Sequence, residues 1–123
     1  MKKTIVFDFD GVIHRYSKGW QDGSIYDEPV DGIKEVISKL HNEYNIVIVS
    51  SRCKEQKSKE EMIRWLDKYN IEYDSLTNIK VPAIVYIDDR AITFNPKNIK
   101  TLINDIKTFE PWQKQTNTQK KLF

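Results

Sequence analysis

The chain predicts an α/β fold, a doubly wound (Rossmann-like) parallel sheet flanked by helices, and three observations carry that expectation. Three short apolar runs, Thr4-Ile5-Val6-Phe7, Ile46-Val47-Ile48-Val49 and Ala83-Ile84-Val85-Tyr86-Ile87, are rich in β-branched residues and nearly unbroken, as buried parallel strands are. Segments of helical period lie between and after them. Each run ends in a polar residue: Asp8, Ser50 and Asp88. Strands alternating with helices imply right-handed βαβ crossovers, and ligands of such sheets bind beyond the carboxyl ends of the strands. The three polar endings are therefore expected to converge on one crevice.

The elements follow in order. Residues 11–29, with Tyr16, Gly19, Trp20, Gly23 and Tyr26, are too irregular for a helix and too short for a second domain, so they read as an excursion over the crevice mouth. Ile33, Val36, Ile37 and Leu40 mark one face of a first helix. Ser58 with Glu61 reads as a capping box, predicting a second helix over 59–69 with Met62, Ile63 and Leu66 inward. Asn95-Pro96 reads as an N-cap followed by proline, ahead of a third stripe of Ile99, Leu102, Ile103 and Ile106. Tyr73 to Thr77 and Ala91 to Phe94 predict two further strands, at opposite edges. Residues 1–110 form the single expected domain, and 111–123, polar and lysine-bearing, a loosely held tail.

The 39% hydrophobic and 31% charged content suits a globular chain, and the net charge of +2 argues for neither a nucleic-acid nor a membrane partner. No apolar stretch approaches the roughly 20 residues that span a bilayer. Met1-Lys2-Lys3-Thr4 leads straight into a strand without a signal-peptide apolar region, and a single cysteine, Cys53, suits a reducing compartment. The expectation is a cytoplasmic protein; the sequence sets no oligomeric state.

Two acidic pairs carry the chemistry. Asp8 and Asp10 stand two apart at a strand end, so both side chains leave the extended chain on one side, and Gly11 lets the backbone turn away. Asp88-Asp89 ends another buried strand. Like charges about 4 Å apart repel by roughly 4 kcal/mol at an effective dielectric of 20, so carboxylates sharing a crevice call for a cation. An oxygen-only ligand set points to a hard ion, Mg²⁺. Ser50, at the end of the middle strand, can bind a phosphoryl oxygen with nearby amides, and Lys80, just before Val81-Pro82, can bring positive charge to the same group.

The order Asp-x-Asp, Ser, Lys, Asp-Asp resembles the haloacid dehalogenase (HAD) superfamily of phosphotransferases, over roughly residues 3–94. Asp8-Phe9-Asp10-Gly11-Val12 matches the first motif, Ser50 the second, Lys80 the third and Asp88-Asp89 the fourth. Val12 replaces a threonine often found there. The short span after Asp10 resembles the capless subgroup, and Gly19-Trp20, Ser50-Ser51-Arg52 and Tyr86-Ile87-Asp88-Asp89-Arg90-Ala91 resemble small phage and bacterial members.

The resemblance implies a magnesium-dependent phosphomonoester hydrolase whose Asp8, ionised at neutral pH, attacks phosphorus and forms an aspartyl-phosphate. Asp10 would protonate the leaving oxygen and later activate water. Mg²⁺ would be held by Asp8, the backbone carbonyl of Asp10, and Asp88, while Asp89 orients a bound water or Lys80. Ser50 and Lys80 would hold the phosphoryl group, and Gly11, Ser51 and Arg52 would contact substrate: a nucleotide, a nucleic-acid end or a small phosphometabolite.

Arg52 and Arg90 also read as ion-pair partners of neighbouring carboxylates, and Tyr16 and Trp20 as loop anchors or stacking surfaces. His14 lines the mouth, His41 is solvated, Cys53 is a bystander, and Lys114, Lys120 and Lys121 make the tail basic. Two rival readings are a catalytically silent phosphate- or metal-binding protein of the same fold and a receiver-type signalling domain. A receiver would carry its acidic pair after the first strand and its phosphorylated aspartate after the third, the reverse of the order found here.

Overall fold

The computed structural model describes residues 1–115. It is an α/β structure around a four-stranded, all-parallel sheet, compatible with a Rossmann-like fold. The strands are β1 (Thr4–Asp8), β2 (Asn45–Val49), β3 (Ser75–Thr77) and β4 (Val85–Ile87), in the order β3-β2-β1-β4. Helices α1 (Ile33–His41) and α2 (Gln56–Lys68) connect β1 to β2 and β2 to β3, and α3 (Leu102–Thr108) follows β4. Of the two expected edge strands, Tyr73 to Thr77 contains β3, whereas Ala91 to Phe94 is not a strand: those residues are exposed and pair with nothing in the sheet.

Both βαβ helices pack on one face. Ile37 of α1 and Met62, Trp65 and Leu66 of α2 form one buried cluster with Ile5, Phe7, Ile46 and Ile48. In α1, Glu35 stands in the first turn and Lys39 and His41 in the last, matching the helix dipole. Val36 is 49% exposed, so the α1 stripe is narrower than its sequence suggests. α2 begins earlier than expected, with Glu55 at its N-cap; Ser58 and Glu61 lie inside the helix and form no capping box. It ends in a Schellman turn: Asn70 has φ 55, the Ile71 amide donates to Leu66 O at 3.0 Å and the Asn70 amide to Asp67 O at 3.1 Å.

The other face is covered differently. Residues 78–84 contain no helix, yet must lead from β3 at one edge to β4 at the other. They arrive at the start of β1, where the Ile84 amide donates to Thr4 O at 2.9 Å. On the way Val81 is tied to Tyr86, whose hydroxyl accepts from the Val81 amide at 2.7 Å and donates to Val81 O at 2.5 Å. This extended crossing replaces the helix that a third βαβ unit would supply, and Val6 beneath the sheet is fully buried.

Asn95 caps the next segment as expected, accepting from the Lys97 amide at 3.0 Å, but the chain first makes a 3₁₀ helix, Pro96–Thr101, before α3. From Ala91 to Glu110 every residue is exposed except half-buried Leu102 and Asp105. The third apolar stripe therefore faces outward, with Ile103 69% exposed. His41 is not merely solvated: Nδ1 bonds to Glu72 at 2.7 Å and Nε2 to Asp74 at 3.1 Å, tying α1 to the approach to β3.

Candidate active site

Strand alternation builds the site. Phe7 and Phe9 point into the core, so Asp8 and Asp10 emerge on the opposite side at the carboxyl end of β1. The chain then turns tightly: the Ile13 and His14 amides both donate to Phe9 O at 2.9 Å, and the Gly11 amide to His14 O at 2.8 Å. Gly11 has φ 88, and the space a Cβ would occupy is filled by the carboxylate of Asp89. Glycine is needed there on both counts.

Parallel pairing of β1 with β4 carries Asp88 and Asp89 to the same end of the sheet. One carboxylate oxygen from each of Asp8, Asp88 and Asp89 lies within 4.8 Å of the other two. Burial, then the charges of Asp88 and Asp89 and a hydrogen bond with Asp89, push the Asp8 carboxyl up to about 8. The expectation of an ordinarily ionised Asp8 thus fails for these three acids alone, because two neighbouring carboxylates in a half-buried crevice disfavour a third charge.

A hard divalent cation fits this trio. All donors are carboxylate oxygens, and Asp89 Oδ1 is buried without a hydrogen-bond partner among the described residues. Asp89 belongs to the cluster itself rather than serving Lys80 from outside it. The carboxylate of Asp10 stands apart from the trio and is turned elsewhere.

Its partners are Arg52 and His14. Arg52 Nε donates to Asp10 Oδ2 at 2.9 Å and Nη2 to Oδ1 at 3.1 Å, a bidentate pair with Arg52 only 8% exposed. The buried His14 accepts the Asp27 amide at Nε2, 3.1 Å, which leaves the proton on Nδ1 to donate to Asp10 Oδ1 at 2.8 Å. Burial raises the Asp10 carboxyl, but the bonds from His14 and Arg52 and the charge of Arg52 outweigh it and hold Asp10 below its ordinary value. In this arrangement Asp10 rests as a carboxylate. Arg52 is likewise committed, its third contact being Nη1 to Gly23 O at 2.6 Å, so its guanidinium pairs with protein rather than substrate.

Ser50 lies at the end of β2 and is buried; its amide donates to Thr77 O at 2.9 Å and its Oγ accepts from the Arg52 amide at 3.1 Å as an N-cap. The hydroxyl proton is left free of that cap. Ser51 opens the 3₁₀ helix Ser51–Lys54 and is exposed. Lys80 belongs to the crossing segment, where its ammonium stands 5.9 Å from the centre of the Tyr86 ring, and among the described residues it forms no ion pair with the acidic trio. Arg90 contributes its amide, donating to Asp88 Oδ1 at 2.9 Å.

The start of the expected tail is part of the site. Pro111 is buried, Trp112 Nε1 donates to Gly11 O at 2.6 Å, and Gln113 Nε2 donates to Asp89 Oδ2 at 2.9 Å. Lys114 is exposed, and Lys120 and Lys121 lie outside the described residues. The sequence reading missed Trp112 and Gln113; an apolar Pro111-Trp112 pair in an otherwise polar segment was the available signal. His14 was placed at the mouth, whereas it is fully buried beneath it.

No helix among the described residues is long and apolar enough to cross a membrane. No protein-family model matches this chain, and neither a curated protein nor a solved structure matches it.

Proposed function

We propose that the chain is a magnesium-dependent phosphomonoester hydrolase of the HAD type, without a cap domain, working through an aspartyl-phosphate on Asp8. The observation that carries this reading is the convergence of Asp8, Asp88 and Asp89 at the ends of adjacent parallel strands, with Asp89 Oδ1 buried and unpartnered among the described residues. The motif order that resembles the HAD superfamily supports it independently.

Asp8, Asp88 and Asp89 would hold the cation, which supplies the positive charge that lets Asp8 ionise and that screens an incoming phosphate dianion. Asp8 Oδ attacks phosphorus, and the ester oxygen departs with the proton that Asp10 carries into this step. Ser50 Oγ donates to a phosphoryl oxygen during transfer. In the second half Asp10, left ionised by that transfer, takes a proton from the water that attacks phosphorus, and phosphate leaves with Asp8 restored. The proton gained by Asp10 is then available for the next leaving oxygen, so one residue serves both halves. Arg52 and His14 fix its orientation.

The deciding experiment is Mg²⁺-dependent hydrolysis of p-nitrophenyl phosphate together with trapping of a hydroxylamine-labile phosphoprotein. Both are expected in the wild type and absent in Asp8→Asn. Lys80, on the crossing segment and without an ion pair to the trio among the described residues, favours a second reading in which the protein binds phosphate and cation without turnover. Absence of both signals across nucleotides, phosphorylated oligonucleotides and sugar phosphates would establish that alternative.

A further inference from the structure

The excursion between Arg15 and Glu28 is a built loop. Tyr26 Oη accepts from the Lys18 amide at 2.9 Å and donates to Gly19 O at 2.8 Å. Ser17 donates to Asp27 through its amide at 3.1 Å and its hydroxyl at 2.6 Å. Trp65 of α2 donates to Asp27 O at 3.0 Å, so the loop base is anchored to the core. Yet Trp20 at the tip is 69% exposed. Its ring edge rests on Gly23, where a Cβ would come within 3.2 Å of the indole, and the remaining surface of the ring is open. The anchored loop thus holds a large aromatic face open at its tip.

What surrounds the ring says what that face suits. Three cavities, of about 530, 250 and 460 Å³, share Trp20 as a wall. The second is also lined by Ser51 and Arg52, the residues directly after Ser50, and Arg52 joins the loop to the acidic crevice by bonding Gly23 O and Asp10 together. A group lying on Trp20 thus reaches Ser51 and Arg52, the two residues that follow Ser50. The first cavity presents donors and acceptors of both kinds, from Lys18, Asp22 and Ser24. A stacking face bordered by mixed hydrogen-bonding groups suits a nucleobase better than an aliphatic or sugar leaving group, which has no π-face to match it.

We infer that Trp20 is the stacking platform for the base of a nucleotide whose phosphate enters the Asp8 crevice. This rests on the phosphotransfer reading above and deepens it by naming the substrate class. Trp20 is a binding residue here; it touches the leaving group and takes no part in bond cleavage.

The test uses the full chain carrying Asp8→Asn, so that nothing turns over, titrated with adenosine 5′-monophosphate, adenosine and ribose 5-phosphate, following tryptophan fluorescence and heat. The two base-containing probes are expected to quench fluorescence and ribose 5-phosphate is not. In Trp20→Ala the preference for the nucleotide over ribose 5-phosphate should fall about 5- to 150-fold, the range for losing one base–aromatic stack. Trp20→Phe should retain most of that preference while reducing the quench to whatever Trp65 and Trp112 contribute. A 5′-phosphorylated dinucleotide binding tighter than the mononucleotide identifies a nucleic-acid end as the source of the base, and equal binding identifies a free nucleotide. An unchanged preference in Trp20→Ala, or a quench undiminished in Trp20→Phe, overturns the inference. The p-nitrophenyl phosphate assay fails or succeeds separately: hydrolysis without base preference removes the Trp20 assignment alone, and base binding without hydrolysis removes the phosphatase reading alone.

Discussion

Asp8→Asn should make the cation-free protein more stable at neutral pH while removing the proposed nucleophile. Charges at the 4.8 Å separation of the trio repel by at least about 3 kcal/mol per pair at an effective dielectric of 20. The fold avoids most of this by keeping a proton on Asp8, whose carboxyl is pushed from 3.8 up to about 8. Holding that proton at pH 7 against an unfolded chain that releases it costs up to about 4 kcal/mol, at about 1.4 kcal/mol per pH unit over roughly three units. Asparagine needs no proton and escapes the cost. Relaxation of the half-buried crevice reduces the gain to about 1–3 kcal/mol, a Tm rise of roughly 5–10 °C for a chain of this size. The pH dependence has a definite sign. A raised carboxyl favours the fold below its unfolded value, and that contribution is lost as pH climbs towards 8. The Asn advantage should accordingly be near zero at pH 4 and largest at pH 8. Mg²⁺ should reverse the ranking by stabilising the wild type, about 2.7 kcal/mol at a hundredfold excess over Kd, more than the variant. Thermal melts at pH 4, 7 and 8, with EDTA and with Mg²⁺, measure all of this. A variant less stable than wild type in EDTA at pH 7, or a gain equal at pH 4 and pH 8, refutes the reasoning.

Other perturbations have equally specific outcomes. Arg52→Ala leaves the Asp10 carboxylate without its bidentate partner and should cost about 3–5 kcal/mol at pH 7 by chemical denaturation. Because Asp10 is held below 3.8, that loss should shrink as pH falls through the same range, and a loss independent of pH would count against the pairing. Gly11→Ala drives a methyl into the Asp89 carboxylate from a left-handed backbone, so calorimetry should find Mg²⁺ binding lost together with at least about 2 kcal/mol of stability. Gln113→Ala should loosen Asp89 and weaken Mg²⁺ binding, whereas Gln113→Glu adds a fourth carboxylate and should lower cation-free stability while tightening the ion. His41→Ala should lower Tm more at pH 6 than at pH 8.5, since Asp74 and Glu72 raise the imidazole and its bonus fades as pH climbs through the raised value.

Much of this arrangement was legible in the residues. Continuous β-branched runs ending in Asp8, Ser50 and Asp88 announce parallel strands, because only strands covered on both faces dispense with alternation. What escaped depends on contacts distant in sequence. Arg52 reads as an ion-pair partner, yet nothing near Asp10 announces that it, 42 positions away, is the carboxylate Arg52 holds. Asp8 looks like any aspartate until Asp88 and Asp89 are placed beside it. Lys80 fits a motif by order, yet order does not reveal that residues 78–84 spend their length crossing beneath the sheet. Ser58 and Glu61 satisfy a capping pattern locally, but the 3₁₀ turn after Ser50 starts α2 earlier. Ile99, Ile103 and Ile106 have helical spacing without an inward face, because periodicity marks amphipathicity and not its partner.

The bond from Trp112 to Gly11 also has a temporal meaning. It joins residues 101 positions apart, and closing a loop of that length costs roughly 4 kcal/mol of chain entropy before any contact repays it. During synthesis β1 and its two aspartates leave the ribosome about a hundred residues before the indole and amide that brace Gly11 and Asp89. The acidic crevice is therefore finished only after the apolar core has formed around Phe7 and Phe9, and a chain halted at residue 110 should keep the sheet but hold its cation poorly.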